Sequence, residues 1–231
     1  MKLKNKLSSE DYFLVLSMTF VVIAVSMNIF CMKSLSFCTP IILCDGGLLI
    51  SWIVFLISNV IVEVWGKERS VKVVTFTAFI SLFILVLGRL IVFIPSLPEY
   101  EAQVKSFENL FSNGPRTIMA SVIAFWTGNF INVSIIAKLI KKNADKDNGF
   151  LFFFRAVIST LFGQFVDNAL FTVLAFAPIG LSVYEMRWVD IYSSVVSSTV
   201  IEMVVEACFV PLVTIPLTKR IKNIIVSEKA A

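Results

Sequence analysis

Histidine is absent from the 231 residues, and only 16% of them are Asp, Glu, Lys or Arg. Without histidine there is no imidazole base, no imidazole metal ligand and no imidazole proton relay. The four cysteines, Cys31, Cys38, Cys44 and Cys208, form no Cys-x-x-Cys pair and no zinc-ligand spacing. They read as small apolar side chains in lipid or at its edge, and nothing calls for a metal or a cofactor. No P-loop is present, so any use of ATP would need a partner. No fixed-period repeat or low-complexity tract is visible. What remains is apolar: 58% of the chain is hydrophobic, with 22 phenylalanines against 20 lysines plus arginines, and the mean hydropathy is +0.88. Soluble domains carry about 45–50% apolar and about 25% charged residues. Composition therefore excludes a water-soluble globule, a disordered chain and a nucleic-acid binder. It leaves a small integral membrane protein whose main partner is the lipid bilayer.

A spanning helix needs about 20 mostly apolar residues, since the rise is about 1.5 Å and the hydrocarbon core about 30 Å thick. Six stretches qualify, at about 12–32, 48–65, 71–94, 117–137, 150–177 and 189–217. Pro211 and Pro216 should bend the end of the last one. The expected fold is an all-α integral membrane bundle of six transmembrane helices, one transmembrane domain over residues 1–231. The first run is too long for a signal-peptide core and lacks a small-residue cleavage site, so it reads as a retained helix. Fifteen basic residues fall at one set of span ends, among them Lys67, Arg69, Lys72, Lys138, Lys141, Lys142, Arg155, Lys219, Arg220 and Lys222. Only Lys33, Arg89, Lys105, Arg116 and Arg187 fall at the other. The positive-inside rule then places both termini in the cytoplasm. In the external loop 95–116, Tyr100, Phe107, Leu110 and Phe111 would suit a short helix lying at the interface.

Ionisable groups at bilayer depth cost at least about 2.5–3.5 kcal/mol each on insertion scales, so each needs a reason. Gln164, Asp167 and Asn168 have i, i+3, i+4 spacing near the middle of the fifth span and share one face. Glu202 and Glu206, one turn apart in the sixth, continue a stripe from Ser194 and Ser198. Two carboxylates this close in low dielectric cannot both ionise cheaply, which makes them candidates for proton coupling. Arg89 is the basic residue placed to pair with one of them, or it snorkels outward. Asn59 and Glu63 lie four apart in the second span, although Glu63, just before Gly66 and Lys67, reads equally well as an interfacial carboxylate. Asn129 and Asn132 share a face in the fourth span after Gly128, and Trp126 lies deep enough there to stack on a flat ligand. Amides, carboxylates and aromatic faces together suit a small planar, donor-rich heterocycle. A hard cation would suit the carboxylates too.

The stretch Ser58-Asn59-Val60-Ile61-Val62-Glu63-Val64-Trp65-Gly66-Lys67-Glu68-Arg69-Ser70 resembles the signature segment of the vitamin uptake transporter-like family. A second stretch, Ser159-Thr160-Leu161-Phe162-Gly163-Gln164-Phe165-Val166-Asp167-Asn168, resembles that family's Ser-Thr…Gln…Asp helix. Asn59, Trp65 and Asn168 depart from the family's usual Asp, Tyr and Thr or Ser. The resemblance implies a six-span, non-enzymatic importer in the inner membrane of a bacterium, taking up a queuosine precursor such as the 7-deazaguanines preQ0 or preQ1. Taken with the residue reading above, the expected substrate contacts are Asn59, Glu63, Trp126, Asn129, Gln164, Asp167 and Asn168, with Glu202 and Glu206 the candidates for coupling a proton. The alternative is the substrate-binding subunit of an energy-coupling-factor transporter for a vitamin or nucleobase-like ligand, which would require a separate ATPase module. Whether copies of the chain associate is left open.

Overall fold

The computed structural model describes residues 7–31, 33–36, 43–111, 115–142, 149–180 and 185–230. Cys38 and four basic residues of the charge count, Lys2, Lys4, Lys6 and Lys146, lie outside these. The helices are α1 (Ser9–Phe30), α2 (Leu48–Trp65), α3 (Lys67–Val92), α4 (Glu101–Phe111), α5 (Pro115–Lys142), α6 (Gly149–Phe176), α7 (Trp188–Phe209) and α8 (Ile215–Ala230). Six helical segments are long and apolar enough to cross a membrane, the last being α7 and α8 together. The all-α bundle expected from the sequence is the fold observed. A two-stranded antiparallel ladder, β1 (Ser34–Ser36) with β2 (Leu43–Asp45), joins α1 to α2 and was not expected.

Local chemistry explains where the helices begin and end. Ser8 caps α1 in a reciprocal box: its Oγ accepts from the Asp11 amide at 3.1 Å, and Asp11 Oδ2 accepts from the Ser8 amide at 2.8 Å. Glu228 of α8 adds a carboxylate at the same N-terminus, accepting from the Ser9 amide at 2.9 Å. Gly66 separates α2 from α3 with φ 85° and ψ 173°, a region essentially open only to glycine. No atom lies within 4 Å of a Cβ built there, so the constraint is conformational and not steric. Gly66→Ala is accordingly expected to cost about 1–3 kcal/mol, read as a lower melting temperature in detergent.

The bundle is packed inside out relative to a soluble protein. Phe76, Phe79 and Phe83 on one stripe of α3 are each about two-thirds exposed, the pattern of a lipid-facing surface. By contrast, α2 is the central helix: every residue from Val54 to Val62 is buried, with α1, α3, α5 and α7 packed around it. Gly128 of α5 and Gly163 of α6 meet face to face. A Cβ on Gly128 would lie 2.7 Å from the Gly163 carbonyl oxygen, and one on Gly163 would lie 2.9 Å from that of Gly128. This close approach of small residues is how helices pack where lipid removes the hydrophobic drive.

Two other elements were partly foreseen. The helix in the 95–116 loop exists as α4, and the ring of its Phe111 sits against Gly88 of α3. Around Pro211, where with Pro216 a bend was expected, the helix makes a π turn over Val210–Thr214, with the Ile215 amide donating to the Val210 carbonyl, and Pro216 lies at the start of α8. Beyond it the helix runs on to Ala230, past the expected end at 217.

Candidate functional site

Three layers of polar side chains cross the bundle interior along α2, α6 and α7. In the layer farthest from the termini, Glu202 of α7 accepts from Asn168 Nδ2 at 2.8 Å and from the Ser51 hydroxyl of α2. Asn168 Nδ2 also donates to Thr199 Oγ1 at 3.1 Å. In the middle layer, Glu206 Oε1 accepts from Thr160 Oγ1 at 2.7 Å and from Asn59 Nδ2 at 2.9 Å. Asn132 of α5 closes that layer, donating to Asn59 Oδ1 at 3.0 Å and to Ser58 Oγ at 2.9 Å. In the layer nearest the termini, Glu63 Oε1 takes Arg155 Nη2 at 3.0 Å and Lys222 Nζ of α8 at 3.1 Å. At about 1.5 Å per residue, Ser51, Asn59 and Glu63 set these layers about 12 and about 6 Å apart along α2.

The layers differ in their access to solvent. A cavity of about 70 Å³ opens at the end of the bundle away from the termini, lined by residues including Asn28, Ser51, Ser121, Asp167, Asn168 and Glu202. The middle layer is closed: Asn59, Asn132 and Thr160 are at most 1% exposed, and so is Glu206. Among the described residues, neither amide atom of Gln164 has a hydrogen-bond partner, and Glu206 Oε2 has none. The triad below is also sheltered, with the Glu63 and Arg155 side chains 3% and 5% exposed and Lys222 32%. Buried polar groups of this kind are ordinarily satisfied, and their concentration in one seam of a lipid-facing bundle makes that seam the candidate functional site.

The sequence-derived residues distribute unevenly over this seam. Asp167 and Asn168 line the cavity together with Glu202, which had been paired with Glu206 for proton coupling. The two glutamates, although one turn apart, bond to different partners. Gln164 lies a turn before Asn168 on α6 and is not among the residues lining the cavity. Glu63 is held by two cations, which is more than an interfacial carboxylate requires. Asn129 is fully buried, its Nδ2 donating to the Phe125 carbonyl. Trp126 stands apart: its ring stacks on Phe130 at 5.1 Å and its Nε1 donates to Thr75 Oγ1 at 3.1 Å, on the side facing α3. Arg89 stacks over Phe93 at 5.3 Å, the outward of the two arrangements considered for it.

Arg155, Thr160 and Ser51 were not among the expected site residues, and Asn132 had been noted beside Asn129 without being given a role. Arg155 had been counted with the cytoplasmic charges, because it lies only six residues into α6. Its signal was Glu63, a carboxylate at similar depth on another helix. Thr160 lies four residues before Gln164, and Asn132 three after Asn129, so both share a helical face with a residue already singled out. Ser51 carried no such mark, since lone serines are common in spans.

Residues 45–215 match the family model described as Putative vitamin uptake transporter. No curated protein and no solved structure matches the chain. The matched segment runs from β2 to the π turn and holds every side chain of the three layers except Lys222. The chain is a multi-pass membrane protein, and it belongs to the putative vitamin uptake transporter family.

Proposed function

We propose that this protein imports a queuosine precursor of the 7-deazaguanine class across the inner membrane of a bacterium, without chemical conversion, along the seam of α2, α6 and α7. The observation that carries this reading is the cavity in which Asp167, Asn168 and Glu202 meet at the end opposite the termini. With the termini in the cytoplasm, as the basic residues argue, that end faces outward and loads first. A guanine-like edge presents adjacent N–H donors that a carboxylate accepts in pairs, and a carbonyl that an amide N–H can serve. Asp167 and Glu202 take the first role and Asn168 the second, with Phe171 beside them. The cavity is smaller than the about 300–1,000 Å³ usual for small-molecule pockets, so loading requires the lining helices to part. The closed middle layer and the Glu63 triad then form the barrier on the cytoplasmic side.

The direct test is a strain that makes queuosine in its tRNA only by salvage, carrying this gene. Asp167→Asn and Asn168→Leu are expected to lower precursor-dependent queuosine by about 10–100-fold, the worth of a hydrogen bond involving a charged group. Unchanged salvage in both variants would place the substrate elsewhere.

A further inference from the structure

Glu202 and Glu206 project one turn apart from the same helix, yet their surroundings differ in kind. Glu202 lines the water-accessible cavity, and both its oxygens accept from neutral donors on α2 and α6. Glu206 is 1% exposed and does not line the cavity. Both of its donors, Thr160 and Asn59, converge on Oε1, while Oε2 is buried without a partner among the described residues. The Asn59 amide cannot turn to serve Oε2 without giving up the bond that its own Oδ1 accepts from Asn132.

The charges around Glu206 complete the picture. On α7 the nearest is Glu202. α2 presents Glu63, a turn inward of Asn59, and α6 presents Arg155 and Asp167. Arg155 and Lys222 both reach Glu63, and among the described residues no ion pair reaches Glu206. α5 presents the neutral Asn129 and Asn132, and the π turn presents Thr214. An ionised carboxylate so placed would lack the counter-charge that burial requires. Gln164, on the α6 stripe between Thr160 and Asn168, offers a donor and an acceptor between the two carboxylate levels.

We infer that the two glutamates divide the work: Glu202 binds substrate, and Glu206 alone carries one coupling proton per substrate. A proton from cavity water adds to Glu206 Oε2, turning carboxylate into neutral acid. Once substrate has left inward, the same proton passes to cytoplasmic water and the carboxylate re-forms. The inference rests on the uptake reading above and divides roles within it.

The test uses the full-length protein in liposomes with radiolabelled preQ1, measuring accumulation under an imposed pH gradient and, without a gradient, exchange of labelled for unlabelled substrate. For Glu206→Gln, gradient-driven accumulation is expected to fall to the no-gradient level while exchange stays within about twofold of the unmodified protein. For Glu202→Gln, both are expected to fall by at least about tenfold. Accumulation surviving in Glu206→Gln overturns the assignment, and so does accumulation lost only in Glu202→Gln. Should Glu206→Gln not fold, the unmodified protein decides: with the membrane potential clamped to zero, the pH gradient that balances a given substrate gradient counts the protons carried, and one supports the inference. Zero or two protons overturns it with the uptake reading intact. Absence of any preQ1 uptake by the unmodified protein overturns both.

Discussion

Leucine at Gly163 is expected to abolish recovery of folded protein, and leucine at Gly128 to do the same. A Cβ at Gly163 meets Asn132 Cβ at 2.8 Å, the Gly128 carbonyl oxygen at 2.9 Å and the Phe55 ring at 2.9 Å. At Gly128 it meets the Gly163 carbonyl oxygen and Asp167 Cβ, both at 2.7 Å. Two of these obstacles are backbone atoms, which cannot turn aside as a side-chain tip can. Overpacking a well-filled site costs about 1–3 kcal/mol for added methylenes, and here even the first carbon forces α5 and α6 apart. That separation also moves Asn132 and Thr160 out of bonding range in the middle layer. Alanine at either position should give folded protein with a clearly lower melting temperature, read by fluorescence-detected size exclusion after heating. Gly149 is the control, since its Cβ would meet nothing closer than 3.8 Å and alanine there should be silent. Equal tolerance at all three positions would show that the glycine contact does not set the helix spacing.

Arg155→Ala is the second change with a large expected effect. It leaves Glu63, 3% exposed, with only Lys222 to balance it, and Lys222 is 32% exposed. Removing one partner from a buried pair costs about 3–5 kcal/mol, mostly the penalty of the charge left behind. The double variant Glu63→Gln with Arg155→Gln removes both charges of the most deeply buried contact. It should recover a substantial part of the loss, and a double-mutant cycle on thermal or denaturant unfolding measures how much. The exposed pair Arg69–Glu10, with side chains 45% and 63% exposed, supplies the comparison. Breaking it should change stability by about 0–1 kcal/mol. If Arg155→Ala behaves like Arg69→Ala, the triad is not structural glue at the inner end of the seam.

Much of this architecture was open to reading from residue order alone, for reasons that differ by element. Span positions were legible because lipid imposes one length and one polarity, and runs such as Val71 to Val92 satisfy both. The ends were less so where charge follows: α5 runs past the expected 137 into Lys138–Lys142, where hydropathy falls but helix propensity does not, whereas α6 (Gly149–Phe176) ends within one residue of the expected 150–177. Asp167 and Asn168 stood out because a polar pair deep in a span has few innocent explanations. Arg155 escaped because a cation near a span end has an innocent one. The ladder between Ser34 and Asp45 escaped because three-residue strands leave no periodicity to detect. Which polar group meets which could not be read at all. Glu202 and Glu206 look alike along the chain, and only the neighbouring α2 and α6 distinguish them.

The π turn at Val210–Thr214 has a consequence for helical phase. Along an unbroken α-helix, at about 100° per residue, Lys222 would stand about 160° round from Glu206, facing lipid when Glu206 faces the core. A π turn acts as one inserted residue and withdraws about 100° of that rotation, which brings the two within about 60°. Pro211 lies inside this turn, where the wider hydrogen-bond spacing tolerates its missing N–H. The extra residue thus works as an indexing step, letting one continuous helix present an acid to the middle of the seam and a base to its inner end.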